Sequence, residues 1–280
     1  MTIEAKKVWF VTGASKGLGL TLVKELLANN YKVAATSRSK KALIEAVGED
    51  ANFLPLEMDI TSDSDVAKAI EGTVGHFGSL DVIVNNAGYG LIGTMEELTD
   101  EEAKKNFEVN VFGSLNVIRN AAKHLRSQQS GHIFNIASIG GFLGNFPGFG
   151  VYCASKFAVA GFTEALAEDM KPFGVHTTLV YPGYFRTDFL KGDSIKTPQN
   201  PIDAYTAARE VEAAHLNQIN GNQPNDPQKA AEVLIKVAQE ENPPVHLFLG
   251  KDAYDLAAGK IGLINKEMTK WKGYTYATAF

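Results

Sequence analysis

Three glycines set between an apolar run and an amphipathic one restrict this chain more than any other feature. Residues 7–12 are almost continuously apolar and end in Thr12-Gly13-Ala-Ser15-Lys16-Gly17-Leu18-Gly19, after which residues 20–28 continue with helical periodicity. A strand that turns on glycine into a helix aims backbone N–H groups and the positive end of a helix dipole at one point. A pyrophosphate fits there, with Gly13, Ser15, Lys16, Gly17, Leu18 and Gly19 around it. The spacing is G-x-x-x-G-x-G. It differs from the commonest dinucleotide fingerprint, and the turn lacks the Gly-Lys-Ser/Thr ending of a P-loop. A purely structural turn would use glycine in the same way. The position between a first strand and a first helix favours a dinucleotide.

Residues 32–36 read as the second strand and lead into Ser37-Arg38-Ser39-Lys40-Lys41. A site for NAD places an acid ~20 residues past the glycines to accept from the ribose 2′-hydroxyl. No acid occurs between Lys32 and Ile44. Arg38 offers instead a planar fork of donors suited to a 2′-phosphate, with Lys16 as a second cation, which points to NADP(H). The plainer reading makes Arg38, Lys40 and Lys41 a solvated helix start.

Further strands are expected at 53–58, 80–84, 131–136, 176–180 and 246–249, alternating with helical runs. That rhythm predicts an α/β fold: one Rossmann-type, doubly wound parallel sheet of about seven strands flanked by helices, in a single domain over 1–280. The strand ends are polar: Asp59, then Asn85-Asn86-Ala87-Gly88, then Ser138, then Pro182-Gly183 with Thr187 beyond. In an open parallel sheet those ends form the crevice where ligands sit. Asp59 is placed to bond an adenine amino group or to serve as a turn residue. Thr99-Asp100-Glu101-Glu102 is a capping box opening a helix to about residue 126, and it carries Asn110, whose amide needs partners if buried. Residues 189–224 break the rhythm at the ligand edge and read as a substrate lid or as a surface excursion. The aromatic tail at about 269–280 suggests docking on the core or on a second subunit.

The chemistry centres on Tyr152-Cys-Ala-Ser-Lys156. On a helix, a spacing of four sets phenol and ammonium on one face. A phenol in water has a pKa of ~10, and a cation within a few ångströms favours the phenolate, so Lys156 is expected to make Tyr152 more acidic. Ser138 can then hold the oxygen of a carbonyl or alcohol, and the group suffices for proton transfer there. The plainer reading is a half-buried ring and a solvated head. Cys153 has no base beside it and is not expected to be a nucleophile. The six histidines, His215 among them, show no metal-ligand spacing and read as structural; no metal site is expected.

With 45% hydrophobic and 21% charged residues, the chain can bury a large core. A net charge of -5 without a basic run argues against nucleic acid or an anionic membrane as a main partner. No stretch approaches the ~18 apolar residues of a membrane span. The first apolar run stops at once in a turn, as a strand does and a signal sequence does not. A single cysteine fits a reducing compartment, so the expected location is cytoplasmic.

Taken in order, Thr12-Gly13-x3-Gly17-x-Gly19, Asn85-Asn86-Ala87-Gly88, Asn110, Ser138, Tyr152-x3-Lys156 and Pro182-Gly183 resemble the short-chain dehydrogenases/reductases, over residues 7 to about 190. The resemblance implies a catalytic tetrad of Asn110, Ser138, Tyr152 and Lys156. Tyr152 would act as acid or base, Lys156 would hold the nicotinamide ribose and lower the tyrosine pKa, Ser138 would position the carbonyl, and Asn110 would hold a water in a proton relay. It implies Asp59 and Asn86 near the adenosine, Thr187 near the carboxamide, and a homodimer or homotetramer built on the helices of Asn110 and Tyr152. With Phe142, Phe146, Phe149, Tyr184, Phe185 and Phe189 nearby, the expected reaction interconverts a fairly apolar ketone or aldehyde and its alcohol, a small-molecule substrate, with NADP(H). Two alternatives stay open. One is reduction of 3-oxoacyl thioesters, for which Lys123, Arg126 and Lys171 would be the landing surface; the other is a dinucleotide-sensing binding protein without turnover, which would have no need of the acid–base pair.

Overall fold

The first strand is Val-Trp-Phe-Val, buried at every position, and such a strand belongs where both faces of its sheet are covered. The computed structural model describes residues 7–280; residues 1–6, which begin the stretch read as a strand and not a signal sequence, lie outside the described residues. The chain runs β1 (Val8–Val11), α1 (Gly17–Ala28), β2 (Lys32–Ser37), α2 (Lys40–Val47), β3 (Phe53–Glu57), α3 (Asp63–Phe77), β4 (Val82–Asn85) and the short β5 (Gly90–Leu91). There follow α4 (Asp100–Phe107), α5 (Gly113–Gln128), β6 (Gly131–Ile136), α6 (Gly150–Met170), β7 (Val175–Pro182), the short β8 (Ile195–Lys196), α7 (Thr206–Ala213), α8 (Pro227–Ala238), β9 (His246–Leu249) and α9 (Lys251–Tyr276).

Seven strands form one sheet in the order β3-β2-β1-β4-β6-β7-β9, every pair parallel. The chain winds outward from β1 to β3, then returns to lay β4 on the other side of β1. Alternation along β1 divides the core. Trp9 and Val11 pack with Leu22 and Leu26 of α1, Leu43 of α2 and Leu234 of α8. Phe10 packs with Val66 and Ile70 of α3 and with Val117 and Leu125 of α5. Each such side chain contributes about 1.5–3 kcal/mol on burial, so the layers hold without help from the ligand edge.

Three helices differ from expectation. The long helix from Thr99 is interrupted by a π-helical turn, Glu108–Phe112, which carries Asn110. One extra residue per turn there re-aims the side chain, a device common at functional sites. Lys40 and Lys41 do open a helix, α2, capped by Ser39, whose hydroxyl accepts from the Ala42 N–H; Arg38 stays outside it. The aromatic tail does not dock on the core: α9 runs to Tyr276, and every residue from Ile261 onward is exposed.

Residues 189–224 roof the carboxyl edge. β8 pairs with β5, and Leu190 and Ile195 bury against Leu91, Ile92 and Phe149, with Val211 and Leu216 packed alongside. A single buried carboxylate pins this roof. Glu97 accepts from the N–H of Ile202 at 2.8 Å and of Thr94 at 2.7 Å, and Arg209 Nη2 lies 3.0 Å away. Burial alone would push its carboxyl up, but those backbone donors and the Arg209 guanidinium hold it below the ordinary carboxylate range. Because the folded value is the lower one, its contribution is present above the unfolded value of about 4.3 and is lost as pH falls through the folded value. Glu97→Gln leaves Arg209 with Glu212 alone, 2.7 Å from Nη1, and turns an amide N–H toward one of the two backbone donors, so a loss of about 1–3 kcal/mol is expected. Hydrogen exchange across residues 199–209 should accelerate at neutral pH in that variant, and in the wild type only as the pH drops below the carboxylate range.

Candidate active site

Glycine is required at the first turn. Gly13 has φ +65° and Gly17 +60°, and a Cβ on Gly13 would lie 2.7 Å from the Cα of Ala87. At Gly19 a Cβ would lie 2.5 Å from Asn86 Nδ2, so this residue lets the helix close on the turn. Thr12 and Asn86 stitch the ends of β1 and β4 together: Thr12 Oγ1 accepts from the N–H of Asn86 and of Ala87, both at 3.0 Å, and Asn86 Nδ2 donates to the carbonyls of Thr12 (2.9 Å) and Gly13 (3.1 Å). The side chain of Lys16, the N-cap of α1, makes no cap, which leaves the first-turn N–H groups to another acceptor.

A cavity of about 920 Å³ runs along this edge from Arg38 to beneath the roof. Of the catalytic and cofactor-binding residues expected from the sequence, all but Gly19 and Asn110 line it; of the aromatics expected nearby, Phe142 does not, packing instead on Tyr181 and Phe248. Arg38 and Lys16 are exposed at its rim, with no ion pair among the described residues. Asp59 lines the wall and also acts as a turn residue, accepting from Thr61 N (2.9 Å) and Oγ1 (2.8 Å). Thr187 lies across from Gly17, where a Cβ would come within 3.9 Å of its own. Gly183 and Tyr184 are held by Asp252, which accepts from Tyr184 N at 2.7 Å and from Asn225 Nδ2 at 2.7 Å.

Ser138 caps the short turn Ile139–Gly141, its Oγ accepting from Gly140 N at 3.0 Å. The Tyr152 ring, 7% exposed, packs against Phe149 (6.1 Å) and Phe189 (6.4 Å). Lys156, 5% exposed, donates from Nζ to the Ile136 carbonyl at 2.9 Å. Here the structure corrects the expected electrostatics. Burial pushes the phenol well above its ordinary pKa, and the downward pull comes from the Ser138 side chain, not from Lys156. Burial also pushes the lysine down, to about 8. Depth outweighs the proximity that sequence spacing showed. A phenol that keeps its proton at neutral pH is poised as a general acid toward a developing alkoxide.

Asn110 stands one layer behind the cavity. Its Oδ1 accepts from Tyr89 N at 3.0 Å, and its Nδ2 donates to Tyr89 O (3.1 Å) and Ser155 Oγ (3.1 Å). It holds the chain beside Gly88, where a Cβ would fall 2.9 Å from Asn110 Oδ1 and 3.4 Å from Lys156 Nζ. Cys153 also reaches the cavity wall, its thiol pushed by burial to about 11 and so protonated. Among the described residues no group of three acidic, histidine or cysteine side chains could hold a metal, and no helix is long and apolar enough to cross a membrane.

One residue was missed by the sequence reading. His215 is no remote structural histidine: it lies in the cavity wall, its Nε2 2.9 Å from the Tyr184 hydroxyl. Spacing gave no indication of this, because Tyr184 is 31 positions away.

The pattern of the family described as short chain dehydrogenase matches residues 7–197. This chain belongs to that family. The short-chain dehydrogenase is 34% identical to Oxidoreductase BOA17 of Botryotinia fuckeliana, over 98% of this chain and 99% of the relative. It is 34% identical to a 3-ketodihydrosphingosine reductase of Bacteroides thetaiotaomicron, over 87% and 88%. Among solved structures it is similar to a short-chain dehydrogenase from Streptomyces avermitilis (TM-score 0.90, 32% identity, 99% and 100% covered) and to ElxO with NADP bound (TM-score 0.71, 28% identity, 87% and 96% covered).

The dehydrogenase's crowding at Gly88 is directly testable. Gly88→Val should break the Asn110–Tyr89 contact and weaken dinucleotide binding by about tenfold or more in a fluorescence titration, a loss of at least ~1.4 kcal/mol. Gly161→Ala, where nothing lies within 4 Å, should leave binding unchanged.

Proposed function

We propose that this short-chain dehydrogenase reduces an apolar ketone or aldehyde to its alcohol with NADPH. The observation that carries the reading is the buried Tyr152 phenol beside Ser138 in the cavity that also holds the glycine turn. The glycine turn and the uncapped start of α1 fit a pyrophosphate, and Arg38 and Lys16 at the rim fit a 2′-phosphate. The bound dinucleotide supplies the hydride that the carbonyl carbon takes up. Lys156 is placed to hold ribose hydroxyls, Ser138 donates to the carbonyl oxygen, and Tyr152 gives that oxygen its proton as negative charge develops there. General acid catalysis of this kind contributes ~10²- to 10⁴-fold. Leu91, Phe149, Phe189 and Leu190 give the chamber an apolar wall. The NADP bound to ElxO and the ketone reduction named for the Bacteroides relative support the same reading. Thioester reduction on an acidic carrier has less support, since Lys123 and Lys171 are already paired with Glu71 (2.5 Å) and Glu168 (3.9 Å).

The test is NADPH consumption with a panel of aryl and alkyl ketones. Tyr152→Phe should lower kcat by about 10³-fold, and Arg38→Asp should shift the preference from NADPH toward NADH by roughly tenfold or more. A wild type that consumes no NADPH with any ketone, or a Tyr152→Phe variant as active as the wild type, would overturn the reading.

We also infer that a second copy of this chain covers α9. Tyr254, Ala257, Ile261, Ile264, Met268, Trp271 and Thr275 alternate at spacings of three and four, a heptad seam. The seam starts on the body, where Ala257 is buried, and continues past it through four large apolar side chains that nothing covers. Glu267 and Lys272, five apart, flank it as the charge pair of a parallel two-stranded coil does. Light scattering should give twice the 30.3 kDa of one chain, and Ile264→Asp with Trp271→Asp should halve it. A monomeric wild type, even one that binds anionic vesicles, would refute this, as would a dimer indifferent to the substitutions.

A further inference from the structure

In the cavity wall that also holds Phe149, Phe189 and Leu190, Tyr184, from the end of β7, meets His215, from the insertion. His215 is 8% exposed and sits in a π-helical turn, Ala214–Ile219. Its Nδ1 lies 2.7 Å from the Val211 carbonyl. A carbonyl only accepts, so Nδ1 carries the hydrogen and Nε2 is left as an acceptor. The Tyr184 hydroxyl, 2.9 Å from Nε2, must then be the donor of that bond. Its proton is spent on the histidine, and what it turns to the chamber is lone pairs. Burial also keeps the imidazole pKa below its usual value, so the ring stays neutral near pH 7.

The phenol is not free to swing away. The Tyr184 backbone is tied by its N–H to Asp252 and by its carbonyl to Asn225 Nδ2, at 2.7 and 2.9 Å. Phe149 packs between this pair and the reacting end: its ring lies 4.9 Å from His215 and 6.1 Å from Tyr152. The histidine of the pair and the tyrosine that protonates the carbonyl therefore contact the same Phe149 ring.

We propose that the Tyr184–His215 pair is a hydrogen-bond-accepting subsite that reads a hydroxyl or N–H carried by the substrate a few bonds from its reacting carbonyl. The proposal deepens the ketone-reductase reading and rests on it. A substrate without that donor leaves a buried oxygen unpaired, at a cost of about 1–3 kcal/mol, which corresponds to roughly five- to 150-fold in specificity.

The experiment uses three matched ketones, bearing at the same carbon a hydroxyl, a methyl ether or hydrogen, with kcat/KM compared within each protein so that foldedness cancels. Wild type should prefer the hydroxyketone over the deoxyketone by about tenfold or more. In Tyr184→Phe that ratio should fall to about one. In His215→Phe the Tyr184 proton is released, so the preference should move toward the methyl ether. A pair that only pinned the roof would depress all three substrates alike and leave the ratios where they were, and that result would overturn the proposal; so would a wild-type ratio near one. Calorimetric titration with the matched diol and deoxy-alcohol separates the two readings. If no ketone is reduced yet wild type binds the diol about tenfold tighter and Tyr184→Phe does not, the subsite stands and the reductase reading falls. If ketones are reduced without discrimination, the subsite alone falls.

Discussion

The hydroxyl of Thr12 holds together the two strand ends on which everything at the ligand edge depends. β1 and β4 are neighbours in the sheet, yet the chain leaves them for opposite sides, so their ends would part to open a crevice. Thr12 prevents that by accepting two backbone N–H groups from the β4 end, and Asn86 answers by donating to two carbonyls of the β1 end. The crevice opens just above this stitch. Gly13 and Gly19 are needed because the stitch brings backbone so close that no side chain fits. Asn86 is thus first a clamp on the turn, and any contact it makes with an adenosine is secondary to that.

Depth governs the proton chemistry in the same way. The sheet is covered on both faces and the cavity opens at the strand ends, and Tyr152 and Lys156 sit far enough into it that each is driven toward its neutral form. An acid that holds its proton suits the donation step, and an amine near pKa 8 can gain charge from an anionic or hydroxyl-rich neighbour at modest cost. The pair is tuned by what surrounds it more than by the distance between its members.

This also explains which parts were legible in the sequence. Continuous apolar runs, glycine at a turn and the capping box at Thr99 are local consequences of backbone geometry, and each stands where it was expected. The π-helical turn at Asn110 was not legible, because it exists to bring that amide to the Tyr89 backbone 21 positions away. β5 and β8 were not either: two residues each, they pair only because the roof packs over Phe149. The sign of the Tyr152 shift was misread for a related reason, since spacing reports proximity and says nothing of burial.

The roof separates two tasks that a lid must otherwise share. Glu97 fastens it outside the cavity lining, through two backbone donors and the Arg209 guanidinium. Inward-facing apolar residues such as Leu190 are then free of structural duty apart from packing. Changing an inward side chain alters what the chamber accepts without loosening the latch, whereas changing Glu97 loosens the roof whatever the chamber contains. On the proposed reading, a Rossmann-type sheet can take up a different substrate by exchanging a few inward side chains of one insertion. Such an exchange must also keep Tyr152 deep, because the ring packs with Leu190 and Ile195 of the roof as well as with Phe149 and Leu91.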